Sequence, residues 1–127
     1  MSGNSVFIAR LHAVLESVFS DRSLTIQFLA SALKLSERQL QRRVRQATGQ
    51  SPALLLREYR LRKSVRYLED GRPVGDVADA VGFSSHAYFS YCFRKLFGIS
   101  PRTCRKRGEK NADTAWCRQD RGVAERL

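Results

Sequence analysis

One stretch of the sequence is written twice. Val74, Val77, Ala78, Val81 and Phe83 fall where Ile26, Leu29, Ala30, Leu33 and Leu35 fell, and Phe89, Phe93, Gly98, Ser100 and Pro101 answer Leu40, Val44, Gly49, Ser51 and Pro52. A repeat of this kind marks one supersecondary unit built two times in a single chain. The register slips by one residue between the two groups, at Ser84-Ser85 against Ser36. An extra residue is cheapest to accommodate in a turn, so a turn is expected there. The paired Gly-x-Ser-Pro segments at Gly49 and Gly98 set the repeat apart from a chance match of apolar positions.

Within the first copy, Ile26, Leu29, Ala30 and Leu33 recur at helical spacing and stop at Lys34-Leu35-Ser36, after which Leu40, Val44 and Ala47 mark a second helix. Ser36 with Gln39 has the spacing of a capping box, which satisfies free backbone donors where that helix starts. Each copy therefore reads as a helix-turn-helix, the first over about 24–49 and the second over about 73–98. Between them, Gly49 supplies a left-handed stop and Ser51-Pro52 an N-cap followed by proline at the first helical position. The helix begun there runs over about 52–70, with Leu55, Leu56, Tyr59, Leu61, Val65 and Leu68 on apolar positions and Arg57, Arg60, Arg62, Lys63 and Arg66 on polar ones. Ahead of the repeat, Phe7, Leu11, Val14, Leu15 and Val18 predict an amphipathic helix from Val6 to Phe19, preceded by a short tail over 1–5. After Arg107 the periodicity is lost, and 108–127 reads as a polar tail with Trp116 as its one large apolar residue. The expected fold is all-α: two helix-turn-helix subdomains joined by a long central helix, about seven helices within 6–107.

The chain has 127 residues, the size of one domain. Its formal charge of +11, mainly from arginine, calls for a polyanionic partner such as nucleic acid or an anionic membrane. Arg10 and His12 interrupt the apolar positions near the start, which argues against a signal peptide or a membrane span and predicts a cytoplasmic protein. Cys92, Cys104 and Cys117 match no zinc ribbon or redox pair, so reduced thiols and no metal are expected. No phosphate-binding Gly-rich loop or serine elbow is present, and His12 and His86 have no acidic or thiol partner nearby in sequence. The reading is of a binding module with no cofactor, not an enzyme.

Arg38, Gln41, Arg42 and Arg45 lie three and four residues apart, on the face opposite Leu40, Val44 and Ala47. Arginine can present two donors to guanine O6 and N7, and glutamine can pair with adenine N6 and N7, so Arg38, Gln41 and Arg42 are candidate base readers and Arg45 a phosphate contact. In the second copy, the helix from about Ser85 to Phe97 buries Phe89, Cys92, Phe93 and Leu96 and turns Ala87, Ser90, Tyr91 and Arg94 outward, with His86 flanking. His86, Ala87, Ser90 and Tyr91 are the candidate base contacts there, and Arg94 and Lys95 the phosphate contacts. The long helix, about 19 residues at 1.5 Å each, makes a rod of roughly 28 Å. That is comparable with the roughly 34 Å between successive major-groove faces, so one chain can set two helices into adjacent grooves as a monomer.

These residues carry a resemblance to the DNA-binding domain of the AraC/XylS family of bacterial transcription regulators, over about Val6 to Arg107. Its most specific stretches are Val74-Gly75-Asp76-Val77-Ala78-Asp79-Ala80-Val81-Gly82-Phe83-Ser84, Tyr88-Phe89-Ser90-Tyr91-Cys92-Phe93-Arg94-Lys95 and Phe97-Gly98-Ile99-Ser100-Pro101. The resemblance implies double-stranded DNA as partner, base contacts at the positions just named, and activation through RNA polymerase. Two departures stand out: Tyr91 replaces a frequent arginine, and Cys104 stands where an aromatic residue usually precedes Arg105, which predicts a looser last helix. An architectural or non-specific nucleic-acid binder is the alternative that the same charge would serve, and the ratio of specific to non-specific affinity separates the two.

Overall fold

The computed structural model describes residues 2–110, which form seven helices and no strand. They are α1 (Ser2–Val18), α2 (Ile26–Ala32), α3 (Glu37–Thr48), α4 (Pro52–Glu69), α5 (Val74–Ala80), α6 (His86–Phe97) and α7 (Pro101–Lys110). The repeat is visible in the element lengths: α2 and α5 have 7 residues each, α3 and α6 have 12 each. The extra residue of the second copy sits in the turn between α5 and α6.

Local chemistry fixes the ends. The Ser36 backbone N–H donates to Gln39 Oε1 at 2.9 Å and the Gln39 N–H to Ser36 Oγ at 3.1 Å, the reciprocal pair of a capping box. Thr25, Ser51 and Ser85 cap α2, α4 and α6 in the same one-sided way. Gly49 and Gly98 end α3 and α6 in the left-handed conformation, with φ of 77° and 80°.

The core is continuous through both units. Phe7, Leu11 and Leu15 of α1, with Phe19 just past its end, make a buried stripe at every fourth residue, and Leu29, Leu33, Leu40 and Val44 close the first unit. Val77, Val81, Phe89 and Phe93 close the second. α4 serves both: Leu55, Leu56, Tyr59, Leu61, Ser64, Val65 and Leu68 are buried around much of its circumference, and it packs against α3, α5, α6 and α7. Ser64, buried among apolar neighbours, satisfies its hydroxyl on the Leu61 carbonyl at 2.5 Å.

The structure corrects the sequence reading at three places. α1 begins at Ser2, so 2–5 are its first turn and not a tail: no proline interrupts them, and their carbonyls accept from the amides one turn on. α7 runs through Gly108 to Lys110, where a polar tail was expected. A Cβ at Gly108 would lie 2.6 Å from the Glu69 Cα, so the helix crosses the end of α4 at a distance only glycine permits. Cys104, expected to loosen that helix, is fully buried, and Arg105 Nε donates to the Gly71 carbonyl at 2.9 Å, tying α7 to the end of α4. The rest of the expected tail, 111–127 with Trp116 and Cys117, lies outside the described residues.

The two units are also tied together around Arg60. Arg60 of α4 donates through Nε to the Phe19 carbonyl at 2.7 Å and through Nη2 to the Asp21 carbonyl at 2.8 Å. Gly82, in the turn of the second unit, lies against the same groups: a Cβ there would stand 2.8 Å from the Phe19 oxygen and 3.0 Å from Arg60 Nε.

Candidate nucleic-acid interface

α3 presents its polar face as the sequence pattern predicts. Leu40 and Val44 are fully buried, which fixes the helix about its axis, and Arg38, Gln41, Arg42 and Arg45 all emerge exposed. The four line one open cleft together with Ile26 and the start of α4 at Ser51, Pro52 and Ala53. None of the four has a carboxylate partner among the described residues, so their donors face solvent.

α6 is anchored by Phe89, Cys92 and Phe93. His86, Ala87, Tyr91, Arg94 and Lys95 are exposed, whereas Ser90 is half-buried. Leu96, expected in the core, is only partly buried against it. His86 is turned back onto α5: its Nε2 lies 2.9 Å from Asp79 Oδ1, and its ring covers Gly75, where a Cβ would come within 3.1 Å of His86 Cε1. Tyr91 projects with 59% of its surface exposed, stacked on Tyr88 at 6.5 Å between ring centroids. Lys95 Nζ donates to the Tyr91 hydroxyl at 3.3 Å and lies 5.5 Å from the ring centre.

The clefts run into one another. The one along α3 shares Ile26 and Ala53 with a second concave stretch that passes over α4 to Ser84, Ser85 and Tyr88. That stretch shares Arg57 and Tyr88 with a third, between α4 and α6, which contains Tyr91 and Lys95. The exposed residues of α3 and those on the α4-facing flank of α6 are thus joined by one track. Its middle contains Arg22, Arg57 and Arg60. Sequence reading placed Arg57 only among the polar positions of α4 and gave Tyr88 no role beyond the motif. Their meeting, Arg57 Nη1 donating to the Tyr88 hydroxyl at 3.0 Å across 31 residues, leaves no local signal in the sequence.

A family model described as "Helix-turn-helix domain" matches residues 29–107. A solved transcriptional regulator from Chromobacterium violaceum, of the AraC-type DNA-binding domain-containing proteins, superposes with a TM-score of 0.77 at 27% identity, over 85% of this chain and 96% of that one. The chain belongs to the AraC-type helix-turn-helix family. A further similarity is to the HTH-type transcriptional activator RhaR of Pectobacterium atrosepticum, 41% identical over 73 residues, which are 57% of this chain and 26% of that protein. The chain thus spans about a quarter of that relative's length. The DNA-binding domain of the global transcriptional factor AdpA, solved in complex with a target DNA, matches with a TM-score of 0.71 at 29% identity, over 78% of this chain and 89% of that domain. Among the described residues no helix is long and apolar enough to cross a membrane.

Proposed function

We propose that this chain is the DNA-reading part of a cytoplasmic transcription activator that binds as a monomer and carries no catalytic step. The observation that carries the reading is the track joining the exposed face of α3 to the α4-facing flank of α6, with unpaired Arg38, Gln41 and Arg42 at one end. α4, at 18 residues and about 27 Å, spaces the two helices for successive major grooves on one side of a duplex. Arg38, Gln41 and Arg42 read base edges in one groove; His86, Ala87, Ser90 and Tyr91 face those of the next; Arg45, Arg94 and Lys95 hold phosphates. Ala87 can meet a thymine methyl, and His86 contributes once its ring swings off Asp79. That a relative is named a transcriptional activator supports activation, and contact with RNA polymerase is the route proposed for it.

The test compares a duplex that the chain itself selects from random sequence with unselected duplex at fixed salt. Arg42→Ala should weaken the selected duplex by about 1–3 kcal/mol and only at one base position, leaving unselected duplex nearly unaffected. Equal loss on both makes Arg42 a phosphate ligand. If no selected duplex binds better than random, the chain is an architectural binder.

A further inference from the structure

The groove between α4 and α6 contains Arg57 and Tyr88, to which base reading gives no role. Arg57 Nη1 donates to the Tyr88 hydroxyl, and Lys95 Nζ donates to the Tyr91 hydroxyl. A phenol that accepts from a cation keeps its own proton free to donate, and both cations retain further N–H groups. Tyr88 and Tyr91 are stacked, so the two cation–phenol pairs stand side by side. All four side chains line the same groove. The one carboxylate on that lining, Glu58, is already engaged, by Gln50 Nε2 at 3.1 Å and by Arg62 at 4.0 Å. The groove therefore offers two cations and two phenols against one carboxylate whose Oε2 is engaged, and it continues into the cleft of α3 through Arg57, Tyr88, Ala53 and Ile26.

We infer that Arg57, Tyr88 and Lys95 grip a backbone phosphate of the DNA strand that crosses between the two reading helices, with Tyr91 holding Lys95 in place. The inference rests on the DNA-binding reading above and adds a site to it. A dianionic tetrahedral ligand is not required: one phosphodiester presents two unesterified oxygens, which match a guanidinium N–H and the Tyr88 O–H on one side and an ammonium on the other. Because the site lies on α4 as well as α6, it fixes the position of the strand relative to the connector and sets the register in which both helices meet their bases.

The experiment measures binding of the whole chain to random-sequence duplex and to a self-selected duplex over a range of salt. Arg57→Ala should lower affinity roughly tenfold on both duplexes alike and reduce the slope of log K against log salt by a part of about 0.9, one phosphate's worth, the rest being lost when Lys95→Ala is added. Tyr88→Phe, which keeps the ring against Phe83 at 6.2 Å, should lose several-fold in affinity with the slope unchanged, since no charge is removed. A methylphosphonate scan of the selected duplex should find one position, between the segments read by α3 and α6, that weakens the unmodified chain but adds nothing to the loss in Arg57→Ala. An unchanged slope in Arg57→Ala, or methylphosphonate losses that add fully to it everywhere, overturns the site. Loss confined to one base pair overturns it too, by making Arg57 a base reader. Arg42→Ala in the same series reports on base reading separately: if it shows no discrimination while Arg57→Ala still lowers the slope, the reading fails and the phosphate site stands. If Arg57→Ala melts early, Tyr88→Phe and the methylphosphonate scan of the unmodified chain decide.

Discussion

Lys34 and Gly82 occupy the same step of the two turns, and their backbones show what each copy of the repeat demands. Both adopt positive φ, 60° and 92°, and each amide donates to a carbonyl three residues back, Ser31 at 3.0 Å and Asp79 at 3.1 Å. Lys34 is exposed and bears the left-handed conformation with no neighbour in its way, at a strain of about 1–2 kcal/mol. Lys34→Gly should therefore stabilise the fold by up to about 1 kcal/mol, seen as a higher urea midpoint, after the entropy of the new glycine is set against the relief. Gly82 has a second constraint, since its missing Cβ is the space that the Phe19 carbonyl and Arg60 occupy. Gly82→Ala should cost about 2 kcal/mol or more, from strain and displaced backbone together. Equal responses at the two positions would mean that the Gly82 contact carries no energy.

At the scale of elements, α1 is held to α4 by a polar cluster as well as by its apolar stripe. Glu16 accepts from Lys63 Nζ at 2.6 Å and from the Tyr59 hydroxyl. The Lys63 hydrogen bond first, and the Tyr59 one second, hold the Glu16 carboxyl below its ordinary value of 4.5. Burial, and then the bond to Glu16, push the Tyr59 phenol up, so it stays a donor throughout the neutral range. A depressed carboxylate stabilises the fold above its unfolded pKa, and that contribution is lost as pH falls through the lower folded value. The difference in urea midpoint between the natural chain and Glu16→Gln should thus be greatest near neutrality and shrink as pH drops below 4.5. A difference independent of pH would reassign the effect to packing. Short-range chemistry of this scale was legible in the sequence: the Ser36–Gln39 box, the Gly49 and Gly98 stops and the Ser51-Pro52 start all lie within a few residues of what they act on. The Glu16–Tyr59–Lys63 cluster, the Arg60 bridge to Phe19 and the crossing of Gly108 over Glu69 join residues distant in sequence. Periodicity cannot report them, which is why 108–110 read as tail. For the candidate interface, the exposure of the α3 polar face was readable because it is set by the helix's own apolar one, whereas the folding back of His86 depends on Asp79 and Gly75 of a different helix.

For the whole molecule, α4 packs against both units and so sets the spacing of α3 and α6, the two helices proposed to read bases. Its burial against both units, with Arg60 and Gly82 closing the junction, predicts a rod and not a tether. Inserting about 5 bp between the two contacted segments rotates one by roughly half a turn, and binding should fall to the level of one unit plus phosphate contacts. Inserting about 10 bp restores the face but adds roughly 34 Å, which a rigid connector cannot span, so affinity should stay low. Gel-shift titration of the three duplexes decides: recovery at the longer insertion would indicate a flexible connection. The repeat has a last consequence, in the orientation of the bound complex. Two identical subunits about a two-fold axis read the same on either strand, but here the copies differ, arginines and glutamine on α3 against histidine, alanine, serine and tyrosine on α6. If both sets read bases as proposed, a site that fits them has a head and a tail, so the bound chain points one way along the duplex, and inverting the site turns every other surface of the molecule to face the opposite direction.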